Sequence, residues 1–128
     1  MVLPIESKLN ITGFIDSRQG GRTENQDSAG VRDTPLGTLV IVCDGMGGMQ
    51  GGSTASQMAV KSILEFMMQS DVRSNPAMTL VKAIRNANMA ICKESQNNPE
   101  IRGMGTTVTA VLFSPRSVSY THLRAHET

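Results

Sequence analysis

Residues 39–48 read LVIVCDGMGG, a block of apolar residues followed by an aspartate and a glycine-rich run. Leu39, Val40, Ile41, Val42 and Cys43 are continuously apolar rather than alternating, which predicts a strand buried on both faces. Asp44 then falls at the end of that strand, where a buried sheet opens into a loop. Gly45, Gly47 and Gly48 allow a sharp turn and a close backbone approach to a ligand, because no Cβ stands in the way. A carboxylate on a rigid strand end beside bare backbone suits a hard cation such as Mg²⁺ or Mn²⁺, which prefers oxygen ligands. From this stretch alone, an Asp44 that merely caps a glycine-shaped turn accounts for the pattern equally well.

Upstream, residues 20–28 read GGRTENQDS, polar throughout and framed by short apolar segments. Asp27 offers a second carboxylate, and Arg22 a planar, permanently charged fork for the oxygens of a phosphate. Taken singly, Arg22 reads as a solvated surface arginine and Asp27 as a turn former. Their order distinguishes them: arginine, aspartate, buried strand, then Asp-Gly-x-Gly-Gly.

Periodicity supplies the surrounding elements. Strands are predicted over 11–17, 29–33 and 36–43, with Thr34, Pro35 and Gly37 making the tight turn between the last two. A helix begins at Ser53 or Thr54 and runs to Gln69, its apolar stripe being Ala55, Met58, Ala59, Ile63, Phe66 and Met67. Asn75 followed by Pro76 is an N-cap with proline in the first turn, where a missing amide hydrogen costs nothing. That second helix runs to Ser95 and buries Leu80, Ala83, Ile84, Ala87 and Ile91. Asn97, Asn98 and Pro99 end it, and the β-branched run 106–113 is a strand. Strands, then two helices, then a strand specify an α+β fold with helices on one sheet face.

Composition narrows the function classes. A chain of 128 residues can bury one small core. Its net charge of +1 provides no electrostatic case for nucleic acid or an anionic membrane. Without Trp, the core must come from aliphatics and the nine methionines. Cys43 and Cys92 read as buried small apolar residues, and such unpaired thiols suit a reducing, cytoplasmic setting. No apolar run approaches the roughly 20 residues that span a bilayer, and no signal-peptide pattern is visible. No Gly-Lys-Ser/Thr follows the glycines, so a nucleotide-phosphate cradle fits poorly.

Taken in order, the motifs resemble the type 2C metal-dependent serine/threonine protein phosphatases in their bacterial form. The matching residues are R-x-x-N-Q-D at 22–27, V-C-D-G-M-G-G at 42–48, Ala55 with Ser56, Ala87 and Asn88 with Ile91, and G-M-G-T-T at 103–107. The resemblance spans residues 9–113, the N-terminal part of a phosphatase domain. It implies a partial α-β-β-α sandwich, incomplete at the C-terminus. It also implies that Asp27 and Asp44 bind two or more Mg²⁺ or Mn²⁺ ions, Asp44 bridging them, with the Gly45 carbonyl as a further ligand. Arg22 would hold the phosphate, making Arg22, Asp27 and Asp44 the catalytic set. The implied reaction is hydrolysis of phosphoserine or phosphothreonine in a protein substrate by a metal-activated water, without a covalent intermediate. The cations and the arginine would stabilise charge on the phosphoryl oxygens. The resemblance further implies a cognate serine/threonine kinase as a partner.

The sequence also departs from that pattern. Met49 and Ser53 stand where bacterial members usually carry His and Glu; neither position ligates metal in the family. Met46 occupies a position that is often His in animal and plant members. The family's later Asp-Gly, Asp-Asn and Gly-Asp-Ser-Arg motifs do not occur. Residues 114–128 are therefore set apart as an atypical tail, read as a truncated or chimeric frame. Its first part fits a turn and the start of a strand. His122 and His126 would share one face of a helix at metal-pair spacing, yet no third ligand motif accompanies them and a loose polar end is the plainer reading. The fragment alone is expected to have little activity. The alternatives are a non-catalytic phosphoprotein-binding relative or regulatory module using Arg22 without metals, and an acidic metal-binding loop unrelated to phosphate.

Overall fold

The computed structural model describes the backbone of residues 2–6, 12–16, 27–46, 51–114 and 118–124, and the side chains of 28–46 and 51–114. Strands β1 (Val2–Glu6) and β2 (Thr12–Asp16) form an antiparallel pair. A second antiparallel sheet holds β3 (Asp27–Thr34), β4 (Gly37–Met46), β5 (Gly105–Phe113) and β6 (Val118–Arg124), in that spatial order. Between β4 and β5 run helices α1 (Gly51–Met68) and α2 (Pro76–Asn97) and a short 3₁₀ turn at Pro99–Ile101. The α+β layering expected from the sequence is present.

The β3–β4 hairpin turns at Pro35 and Leu36, with Thr34 opposite Gly37 in the ladder. The Thr34 hydroxyl donates to the Gly37 carbonyl at 2.8 Å and accepts from the Leu36 amide at 3.2 Å. Gly37 has φ +140°, and a Cβ there would press on the Phe113 carbonyl oxygen. Only glycine satisfies both conditions.

Helix α1 starts at Gly51, ahead of the predicted Ser53 or Thr54. Gly51 and Gly52 are both buried, and a Cβ on Gly51 would lie 3.2 Å from that of Met104. Close packing of Gly51 on the approach to β5 thus holds a poor helix former in the helix, overriding propensity. Helix α2 begins as predicted: Asn75 Oδ1 accepts from the Met78 amide at 3.0 Å and Pro76 occupies the first turn.

The core lies between the second sheet and the helices. Leu39, Ile41, Cys43, Val108, Ala110 and Leu112 point into it from β4 and β5, and Ala55, Ala59, Ile63 and Met67 meet them from α1. All five residues predicted as the buried stripe of α2 are buried. Strand β4 corrects one expectation. Its burial alternates rather than continuing on both faces, and Val42 is 41% exposed. The helices cover one face of the sheet, and among the described side chains nothing covers the other to the same depth. A continuous apolar strand calls for a second layer, which a sandwich provides.

The start of a strand read in the tail extends further than its first residues. Residues 118–124 form a strand in register with β5, Val118 opposite Phe113 and Arg124 opposite Thr107. The open edge of β5 offers unpaired backbone groups that β6 satisfies, so His122 does not lie on a helix. His126 lies outside the described residues.

Candidate active site

The β3–β4 ladder decides how the two aspartates relate. Asp27, the first residue of β3, is the cross-strand partner of Asp44, and Asp44 is in turn opposite Thr107 of β5. Directly opposed residues of an antiparallel pair have Cβ atoms about 4.5–5.5 Å apart on one face. Because side chains alternate, the row of Asp44 lies on the face opposite Ile41 and Cys43, away from the helices. Asp44 is exposed there.

Strand β4 runs past Asp44 through Gly45 to Met46, whose ladder partners are Thr106 and Gly105. Gly45 is therefore extended and buried within the strand rather than the first residue of a turn. Pairing with β5 keeps it there. Gly47 and Gly48 lie outside the described residues, and so does Arg22.

Two side-chain contacts brace this end of the sheet. The Thr107 hydroxyl reaches back to the Asp44 carbonyl oxygen at 3.4 Å. On the helix side, the hydroxyls of Ser28 and the fully buried Ser56 are 3.0 Å apart, and Ser56 also donates to the Ser53 carbonyl at 3.2 Å. This second contact ties the residue after Asp27 to the first turns of α1. Sequence reasoning singled out Ser56 by resemblance and left Ser28 and Thr107 without roles. Ser28 carries no sequence signal for its bond, whereas Thr107 lay within a matched motif.

Cys43, one residue before Asp44, faces the opposite way. It is fully buried, and that burial pushes its thiol up to about 12, a hydrogen bond with Thr106 opposing the rise. A thiol held neutral in apolar surroundings is a poor nucleophile and a poor metal ligand. The group on the open face thus offers hard oxygen donors, a set that fits Mg²⁺ or Mn²⁺. Among the described residues no three His, Cys, Asp or Glu side chains converge to hold a metal. The local donor set is accordingly partial.

The hairpin thus brings two acidic positions together at one end of the sheet, on the face away from the helix pair, and comparisons with known proteins show the family to which this fold belongs. The model of the protein phosphatase 2C family matches residues 16–123. The chain is 34% identical over 104 residues to the serine/threonine protein phosphatase PstP of Mycobacterium tuberculosis, covering 80% of this chain and 19% of PstP. It is 35% identical over 105 residues to a putative protein phosphatase 2C-type of Streptococcus pyogenes, covering 80% of this chain and 42% of that one. The catalytic domain of PstP solved in complex with 2 manganese ions superposes with a TM-score of 0.68 at 26% identity, covering 95% of this chain and 46% of that domain. This chain belongs to the protein phosphatase 2C family. It spans less than half the length of these relatives.

Proposed function

We propose that the parent protein is a metal-dependent serine/threonine protein phosphatase and that this chain supplies the first two carboxylates of its metal centre. The observation that carries the reading is the register: Asp27 and Asp44 are direct cross-strand partners at the exposed end of the sheet. Asp27, Asp44 and the Gly45 carbonyl would hold Mg²⁺ or Mn²⁺. When bound, such ions lower the pKa of a coordinated water and polarise a phosphoryl oxygen. Arg22 would orient the phosphate of a phosphoserine or phosphothreonine protein substrate through paired N–H donors. The ladder holds the two aspartates in place before substrate arrives, which limits the reorganisation that the reaction must supply. A cognate serine/threonine kinase and a cytoplasmic setting complete the reading. The described residues include no helix long and apolar enough to cross a membrane.

The test is hydrolysis of a phosphopeptide and a phosphoaryl ester by the full-length parent with Mn²⁺, beside calorimetric Mn²⁺ titration. Changes to residues that merely orient ligands typically cost 10- to 100-fold, so Asp44→Ala is expected to lower turnover by about a hundredfold or more. This 128-residue chain alone should turn over little substrate. An Asp44→Ala parent that retains its activity and Mn²⁺ affinity refutes the assignment. A parent that binds phosphopeptide but no Mn²⁺ would instead be a non-catalytic binding relative.

A further inference from the structure

A helix lying on a core normally presents a polar face to solvent. Helix α2 does not. Opposite its buried stripe stand Met78, Val81 and Met89, which are 54%, 36% and 67% exposed. Lys82, Arg85 and Lys93 interleave with them. At 100° per residue these six positions fall within an arc of roughly 120°. Glu94, the one acidic residue of α2, falls outside that arc. Among the described residues, the ion pair formed is Arg73 with Asp71, at 2.9 Å, and none of the three α2 cations has a carboxylate partner. At the head of this face, a cavity of about 280 Å³ opens between the end of α1 and the start of α2. Its walls are Phe66, Gln69, Ser70, Ser74, Thr79 and Lys82, so its one charged group is cationic.

From these features we infer that the outer face of α2 docks an acidic amphipathic segment of a partner protein. The partner's apolar side chains would pack among Met78, Val81 and Met89, where the unbranched thioethers of the two methionines adapt to a second surface. Its carboxylates would meet Lys82, Arg85 and Lys93, one of them entering the cavity beside Lys82. The 22 residues of α2 present a track about 33 Å long, sufficient for several turns of a docked helix. The face is built independently of the metal-site residues, so its test stands whether or not the phosphatase reading does.

A phage-displayed library of helical peptides, selected on the full chain, tests the inference. The selected sequences should alternate leucine-like residues at helical spacing with Asp and Glu. The paired change Lys82→Glu and Arg85→Glu should weaken the best synthetic peptide about tenfold. Both side chains are exposed, and circular dichroism checks that the variant folds. Binding of the same peptide to the unmodified chain should also weaken as salt rises. Peptides that bind equally well after charge reversal would lie elsewhere, for instance on the open sheet face, and overturn the proposal. An absence of enrichment, or selection of basic sequences, overturns it too. Binding to anionic phosphatidylglycerol vesicles without any peptide binding would make the face a membrane contact and would equally count against it.

Discussion

Replacing Gly37 by alanine should unfold this chain far more readily than the same change at Gly103, although both glycines have positive φ. Gly37 has φ +140° and Gly103 has φ +81°. Holding a non-glycine residue in left-handed backbone costs about 1–2 kcal/mol, and the sparser region around Gly37 about 1–3 kcal/mol. Surroundings separate the two. Around Gly103 a Cβ meets nothing within 4 Å, whereas at Gly37 it runs into the Phe113 carbonyl oxygen and carbon of the neighbouring strand. Backbone atoms in a ladder cannot step aside as a side-chain tip can, so overpacking adds about 1–3 kcal/mol. The expected costs are therefore about 4 kcal/mol at Gly37 and about 1.5 kcal/mol at Gly103. With a urea slope near 1.5 kcal/mol/M, the midpoints should fall by about 2.5 M and about 1 M. Urea titration followed by circular dichroism measures both. Equal midpoint shifts would refute the packing argument. The change should reach the proposed site as well, because the hairpin turn keeps Asp27 opposite Asp44, and a one-residue slip would send one of them to the other face.

Two further predictions test the sheet. Ile41→Ala, which removes a fully buried side chain, should cost about 2–5 kcal/mol, whereas Val42→Thr, at a neighbouring position 41% exposed, should change stability by less than about 0.5 kcal/mol in the same titration; a comparable loss at both positions would mean that the second face is covered. Cys43, raised from its ordinary 9.0 to about 12 by burial, should stabilise the fold fully below pH 9 and lose that contribution as pH climbs towards 12, because the unfolded thiol ionises first. Iodoacetamide at pH 8 should consequently label Cys92 well before Cys43, and equal labelling rates in the folded chain would contradict the assignment.

Much of the architecture was legible in residue patterns. The caps and stripe of α2 came out almost residue for residue, because Asn75, Pro76 and a clean apolar periodicity all point the same way. The limits of α1 and β4 were misplaced for a common reason: glycines, which favour neither helix nor strand by propensity, are held in them by neighbours. Gly51 packs on Met104, and Gly45 is paired with Thr106. Strand β1 went unpredicted, since a proline and a charged end interrupt its short run. The start of β6 was legible in the tail, but its reach to Arg124 depends on the edge of β5, which no local signal announces.

What sequence determined by itself is the inventory: which acids, which arginine, which apolar runs, and the order that marks a type 2C phosphatase. It could not place Asp27 against Asp44. They are seventeen residues apart along the chain, and only the pairing of β3 with β4 makes them neighbours. Nor could it choose a face for either, because a period of two specifies alternation but not which side the helices will cover. That choice falls to packing: α1 buries Ile41 and Cys43, and in doing so turns Asp44 outward to the open side.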